Sequence, residues 1–472
     1  MTLQTQIIND RTILCGACVK QVKAGVELAA LNELFAQLKS PSILGGNPAK
    51  KDTDRFSYWA AEPKEIFEFH AGQEKPFEKL RSLLDKYKLA RPATQEKGMF
   101  LGGWIGYFSY ELGRYIEKLP ETTVDDIAMP LIRLCFYDKV ICYDHIEDMF
   151  ALIALKVDSE KVEEKFSWLE SLLERASKIT LSSPAAGDLE NIDLGKINCN
   201  MNHDYYLKTI EKIKRYIYDG QVYQVNFSQR FDCDYNAEPV ALLHWQNHHN
   251  PSGYAAYIDT GDLAIVSASP EMFITINDRF ISTKPIKGTR RRTNQPDQDT
   301  KNFDELQISE KEQAELNMII DLERNDMARI CVPGTRKVTQ QRTIEIYPTV
   351  FHAVATVSGE LAGDVTICDC LKAMFPGGSI TGAPKVSSME IIDETEPTAR
   401  GVYTGSIGFI GVDGTVSLNI AIRTIIIKNK KAYVQTGGGI VADSDPEAEW
   451  HETITKARAL LAGINSVNRD MK

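Results

Sequence analysis

Two stretches of this chain set strand against strand with almost nothing between them. Residues 263–276 and 280–289 are strand-like runs separated only by Asn277-Asp278-Arg279, and Asp413-Gly414 punctuates a meander over 403–441. Connections this short can join only antiparallel neighbours, because a parallel pair needs a crossover of a dozen residues or more. Helical periodicity is grouped elsewhere, as over 158–177, where Val162, Phe166, Leu169, Leu172 and Leu173 recur at helical spacing. The pattern predicts an α+β fold, not a doubly wound parallel sheet.

A polar, turn-rich break over 178–202, through Ser182-Ser183-Pro184-Ala185-Ala186-Gly187-Asp188, divides the 472 residues into regions 1–190 and 191–472. The formal charge of −11, from 54 basic and 65 acidic residues, argues against nucleic acid as the main partner. Apolar runs such as 149–155 fall well short of the about 20 residues that span a bilayer, so no membrane role is expected. The N-terminus shows no basic segment followed by an apolar run, and nine cysteines without such a leader suggest reduced thiols in the cytoplasm. Cys15-Gly16-Ala17-Cys18 is a lone pair at zinc-like spacing and reads as structural.

Several constellations carry chemistry. With a three-residue turn at Asn277-Asp278-Arg279, Ile276 faces Phe280 and Lys287 lies opposite Ser269, a diagonal step from Glu271. An exposed cross-strand ion pair and a buried acid–amine pair both fit that spacing, and Pro270 and Pro285 imply irregular pairing. The neighbouring Lys284, Arg290, Arg291 and Arg292 read as a solvated basic face, or as cations that would depress the Lys287 pKa. Asp445-Pro446 is an N-cap and first-turn pair for a helix to about Ala462. On it, Glu449, Glu452 and Lys456 fall within roughly a 60° arc beside the apolar stripe of Trp450, Ile454, Ala457 and Leu461. Ser309 and Glu312 fit a capping box, and Glu315 follows one turn later. Carboxylates from two helices suit Mg²⁺ if they meet, and a solvated charged face if they do not. The Gly-rich run 377–385 lacks the lysine that a P-loop requires after Gly382, so no ATP site is expected there. Gly437, Gly438 and Gly439 follow a strand, and their amides suit either a carboxylate or a tight turn.

Taken together, residues 216–456 resemble the chorismate-binding family, which includes anthranilate, aminodeoxychorismate, isochorismate and salicylate synthases. The resemblance rests on Gln221-Val222-Tyr223-Gln224-Val225-Asn226, Ser269-Pro270-Glu271, Asp321-Leu322-Glu323-Arg324-Asn325-Asp326, the 377–385 run, Arg400-Gly401-Val402-Tyr403-Thr404-Gly405 and 437–456. Gly102-Gly103-Trp104-Ile105-Gly106-Tyr107 and Ser109-Tyr110-Glu111-Leu112 extend it into the N-terminal region. It implies two large, mostly antiparallel sheets packed as a sandwich with helices outside, both regions contributing strands.

The resemblance also implies roles. Lys287 stands where anthranilate and salicylate synthases carry alanine, which marks the aminodeoxychorismate branch and makes it a nucleophile toward carbon 2 of chorismate. Glu271 is then the general acid for the departing hydroxyl. Glu315 and Glu452 match the principal Mg²⁺ ligands, with Glu312 and Glu449 in support. Tyr403 and Arg423 match residues that hold the enolpyruvyl carboxylate. Gly437, Gly438, Gly439, Lys456, Thr381 and His352 match the rest of the substrate shell, and Gln224 stands where water-adding relatives carry a lysine base. Ser42, Arg55 and Phe56 fall near a tryptophan pocket of relatives, although Gly45-Gly46-Asn47-Pro48 departs from their pattern. No glutaminase signature is present, so a separate glutamine amidotransferase subunit is expected to supply ammonia. The rival readings are anthranilate synthase component I and a non-catalytic chorismate- or tryptophan-binding regulator.

Overall fold

The computed structural model describes residues 12–46, 55–90, 98–157, 160–181, 197–293, 295–347 and 350–469. Most of the 178–202 break, and Asn47 and Pro48, lie outside the described residues. The described residues build one sheet of thirteen strands and one of ten. Among the described strands the pairing is antiparallel except where Ile13–Val22 meets Tyr87–Leu89.

Each sheet is assembled from both ends of the chain. In the larger sheet, Tyr254–Asp259 pairs with Ser42–Leu44, and in the smaller, Ser406–Gly411 pairs with Gly103–Phe108. Large apolar side chains of both sheets, including Tyr58, Tyr107, Ile265, Phe409 and Ile426, form one buried cluster between the layers. Helices cover the outer faces. Leu28–Ala36, Val162–Ala176, Pro239–His249 and Pro446–Arg469 pack outside the larger sheet. Pro76–Leu84, Glu310–Ala328 and Ile367–Met374 pack outside the smaller, and Lys385–Thr395 lies against Gln224–Asp234 of the larger. This is the α+β sandwich that the turn spacing and the resemblance predicted.

The 263–289 segment departs from the simple hairpin. Asn277 pairs with Phe280 and Ile276 with Ile281, so the turn has two residues, with Asp278 in the left-handed region at φ 55°. The pairing slips by one between Met272 and Thr275. The first run is not one strand either. Pro270 offers no amide to a ladder, and the chain passes there from one sheet to the other. Leu263–Ser269 belongs to the larger sheet, and Met272–Asn277 to the smaller. Lys287 lies on Ile286–Arg291 against Val350–Glu360, so Ser269 is not its neighbour.

The 403–441 meander divides in the same way. Ser406–Gly411 and Val416–Asn419 join the smaller sheet, Thr424–Lys428 and Lys431–Ile440 the larger, and the crossing residue Arg423 has φ 50°. The two crossings are stitched together: Ile420 N–H donates to the Glu271 carbonyl at 3.0 Å, and Ala268 N–H to the Arg423 carbonyl at 3.0 Å.

Candidate active site

Glu271 and Arg423 thus sit side by side because two strands change sheets at the same level. The Glu271 side chain is buried, and burial raises its pKa, tempered by Ser379, Lys287, the Ile286 amide and Arg423. Ile286 N–H donates to its Oε1 at 3.3 Å. Arg423 feels Glu271 and makes no other side-chain hydrogen bond or ion pair among the described residues. An enclosed guanidinium without a full partner is suited to an incoming carboxylate.

Lys287 enters from the neighbouring strand, and its Nζ donates to the Ser379 carbonyl at 2.9 Å. Burial lowers its pKa; Glu271 and Glu315 oppose the shift, and Lys456 reinforces it. The depressing cation is therefore Lys456, not the arginine run. Arg290 instead donates to Glu312 at 2.7 Å, and Lys284 pairs with Glu345 at 2.5 Å. A half-buried amine beside a buried, protonatable acid is an arrangement that can serve as nucleophile and proton donor.

The carboxylates come from two helices, as their spacing required. Ala448 N–H donates to the Asp445 carboxylate at 2.9 Å, confirming the cap, and the helix runs on to Arg469, past the expected end at Ala462. Glu452 pairs with Lys456 at 2.7 Å, and Lys456 also donates to the Gly437 carbonyl at 2.9 Å. Burial pushes the Glu452 pKa up, but Lys456, Lys311 and Lys287 outweigh it and hold the group below its usual range. Burial raises both Glu315 and Glu449; Glu449 is held by the Ser444 hydroxyl at 2.6 Å. The Ser309 hydroxyl accepts the Glu312 amide at 3.4 Å, but the Glu312 side chain turns to Arg290, so only half of the expected capping box forms.

Among the described residues no three His, Cys, Asp or Glu side chains form a ready-made metal cage. The donor set nonetheless fits a hard cation. Glu312 Oε2 is buried without a hydrogen-bond partner, and Glu315 is electrostatically linked to both Glu312 and Glu452. Glu449 and Glu452 both reach the space over Gly438, where a Cβ would lie 2.9 Å from Glu449 Oε2 and 3.9 Å from Glu452 Oε1.

Gly437, Gly438 and Gly439 are not a turn after the strand; they lie within Lys431–Ile440 and pair with Ser228, Phe227 and Asn226. The amides of Asn226 and Ser228 donate away from this pairing, to the Thr381 carbonyl and to Glu396. Alternation along an antiparallel ladder therefore leaves the Gly437 and Gly439 amides facing the other side, toward Lys456. A Cβ at position 439 would lie 2.0 Å from Gln224 Nε2, so glycine is what admits the buried Gln224. The Thr381 hydroxyl donates to the Gly377 carbonyl at 2.9 Å. His352 Nδ1 meets the Thr289 hydroxyl at 2.9 Å, two residues from Lys287. Tyr403 is buried against Arg400, whose Nη1 donates to the Ile380 carbonyl next to Ser379.

The Ser42, Arg55 and Phe56 group is divided. Arg55 and Phe56 line a cavity of about 600 Å³ with Tyr58, Tyr254 and Asn419, but the Ser42 hydroxyl is engaged with Tyr137 at 2.9 Å and does not line it. Arg55 itself is committed to Asp144 at 2.7 Å.

Three features of the site escaped the sequence reading. Ser379 lay in the 377–385 run, which entered the resemblance without a role for this residue. The fully buried Arg400–Glu396 pair, at 2.6 Å, anchors Ser228, Asn226 and Ile380 together, yet its i,i+4 spacing looks like any helical ion pair. Glu111, pushed up to about 7 by burial, accepts the Arg400 amide at 2.7 Å and ties the N-terminal region to the site.

The fold and site define a family. Residues 47–462 match the family described as chorismate binding enzyme, and the chain belongs to it. Among relatives, aminodeoxychorismate synthase component 1 of Bacillus subtilis (strain 168) is 38% identical over 79% of this chain and 79% of its own. Anthranilate synthase component 1 of Geobacillus stearothermophilus is also 38% identical, over 79% of this chain and 76% of its own. The solved anthranilate synthase component I from Streptococcus pneumoniae TIGR4 superposes with a TM-score of 0.74 at 31% identity, covering 86% of this chain and 92% of that one. The menaquinone-specific isochorismate synthase from Escherichia coli shares the fold, with a TM-score of 0.71 at 16% identity over 96% and 95% of the two chains.

Proposed function

We propose that this member of the family converts chorismate and ammonia to 4-amino-4-deoxychorismate, the precursor of the para-aminobenzoate used in folate biosynthesis. The observation that carries the reading is Lys287, an amine whose pKa burial lowers, beside Glu271, a buried acid whose pKa burial raises. A family member that adds ammonia directly needs no nucleophilic side chain there. Lys287 Nζ bonds to carbon 2, the ring double bonds shift, and the carbon 4–oxygen bond breaks as Glu271 donates a proton, releasing water. Ammonia then bonds to carbon 4, the double bonds shift back, and the carbon 2–Nζ bond breaks to free the amine.

Arg423 and Tyr403 receive the enolpyruvyl carboxylate, and the Gly437 and Gly439 amides with Lys456 face the ring carboxylate. Gln224, Thr381 and His352 complete the substrate shell, and Gln224 supplies no base to activate water. Glu315 and Glu452, supported by Glu312 and Glu449, would hold Mg²⁺. When bound, the ion neutralises the ring carboxylate. Ammonia comes from a glutamine amidotransferase subunit, and the compartment is the cytoplasm; among the described residues no helix is long and apolar enough to cross a membrane. Tryptophan is the proposed occupant of the cavity at Arg55 and Phe56.

Anthranilate synthase component I is the second reading, favoured by relatives at the same identity. Incubation with chorismate, Mg²⁺ and ammonium, with and without the lyase that releases 4-aminobenzoate, separates the two. We expect 4-aminobenzoate only when the lyase is added. Anthranilate appearing without the lyase would overturn the proposal.

A further inference from the structure

Glu323 lies on the helix Glu310–Ala328, about two turns beyond Glu315, and the chemistry above gives it no part. It is 2% exposed. Its Oε1 accepts the Gly378 amide at 3.1 Å, while Oε2 is buried with no hydrogen-bond partner. The charged groups facing it are Lys385, Asp326 and Glu271. Lys385 is committed elsewhere, donating to Asp326 and, at 2.8 Å, to the Met374 carbonyl. Burying a carboxyl for one amide hydrogen bond is a costly way to join a helix to a loop, which invites a reason beyond packing.

The reason lies one residue on. Gly378 opens the single turn Gly378–Ile380, and the carbonyl of its middle residue, Ser379, receives Lys287 Nζ. The opposite end of the turn is fixed by Thr381, whose hydroxyl donates to the Gly377 carbonyl. A Cβ on Gly378 would come to 3.1 Å from Glu323 Oε1, so a side chain there would press on the acid and push it back by a few tenths of an ångström. We propose that Glu323 is a positioning residue: by receiving the Gly378 amide it sets the Ser379 carbonyl that aims the Lys287 amine beside Glu271. The inference rests on the proposed function only in taking Lys287 as the reacting group.

The full-length protein with Glu323→Ala or Glu323→Gln tests this. Chorismate consumption with Mg²⁺ and ammonium is followed whatever the product, and hydrogen exchange of a peptide containing Gly378 and Ser379 is read by mass spectrometry without turnover. The expected result for Glu323→Ala is a kcat loss of at least ~tenfold with KM for chorismate within ~threefold, and faster exchange at Gly378. Glu323→Gln keeps an acceptor oxygen and restores both. A kcat for Glu323→Ala within ~twofold of the parent, or a loss carried by KM alone, overturns the proposal. So does a Gln variant that protects Gly378 yet stays slow, and this arm stands even if the Ala variant fails to fold. Should the parent consume no chorismate, the proposed function falls, and unchanged exchange in Glu323→Ala still overturns this inference separately.

Discussion

Lys287 and Glu271 share a small volume in which each favours the other's charged form and burial disfavours both. Displacement of water by the substrate should deepen both burial effects, favouring the protonated acid and the free amine. Glu271→Gln is therefore expected to lower kcat by at least ~100-fold while leaving KM for chorismate within a few-fold, since the amide keeps the shape but not the proton. Lys287→Ala should lose aminodeoxychorismate production by a similar factor, and mass spectrometry of the parent with chorismate but no ammonia should show an adduct on Lys287. Undiminished production in Lys287→Ala would end the covalent mechanism.

Glu323 yields a stability prediction with a definite sign. Burial raises its carboxyl from 4.5 to about 7 in the folded protein. Below the lower value both states hold the proton and no cost arises; the cost grows as pH climbs toward about 7 and is constant above it. Glu323→Gln removes that cost, so the variant should gain up to about 3 kcal/mol on the parent between about pH 5 and about pH 8. Urea unfolding midpoints at the two pH values measure it, and an unchanged difference would show that Glu323 is ionised in the fold.

At the scale of elements, the site hangs on how helices begin and how one strand clears its neighbours. Asp445 caps the helix that brings in Glu449 and Glu452, and Asp445→Ala should cost about 1 kcal/mol in thermal or urea unfolding. Gly439→Ala would force Gln224 out of its place. A rise of at least ~tenfold in KM for chorismate, with stability nearly retained, is the expected signature in steady-state kinetics.

Much of this level was legible beforehand. Asp445-Pro446 announced its helix, and the arc of Glu449, Glu452 and Lys456 placed them together because helical geometry is rigid over two turns. The two-residue turn at Asp278-Arg279 and the sheet change at Pro270 were not legible. Register near a turn depends on which residue takes a left-handed conformation, and a strand that leaves one sheet for another keeps the same apolar pattern in both. Gly437, Gly438 and Gly439 were misplaced for a related reason. Three glycines in a row look like a turn unless the crowding by Gln224 and Glu449 is already known. The parts played by Glu323 and the Arg400–Glu396 pair were not legible, although 321–326 and 400–405 entered the resemblance, because burial of a titratable group depends on tertiary contacts with no local signature.

For the whole molecule, the decisive fact is that neither sheet is complete within one half of the sequence. Residues 197–469 alone would expose the edge of Tyr254–Asp259 in one sheet and of Ser406–Gly411 in the other, both apolar. That fragment should aggregate when expressed by itself, and co-expression with residues 1–181 should recover soluble, chorismate-binding material. Gel filtration of the two preparations decides the matter. A monomeric, active 197–469 fragment would show that the paired edges are dispensable.

The twin crossings at Pro270 and Arg423 make the sandwich a kind of caliper. The acid sits where one strand enters one jaw and the guanidinium where another enters the opposite jaw, and the apolar filling between the layers sets the angle at which the jaws meet there. A change of volume at Phe409 or Ile265, deep in the filling and remote from any reacting atom, would be read at the site as a change of gauge. Discrimination between substrates of slightly different length is therefore open to adjustment from the core, without altering a residue that touches them.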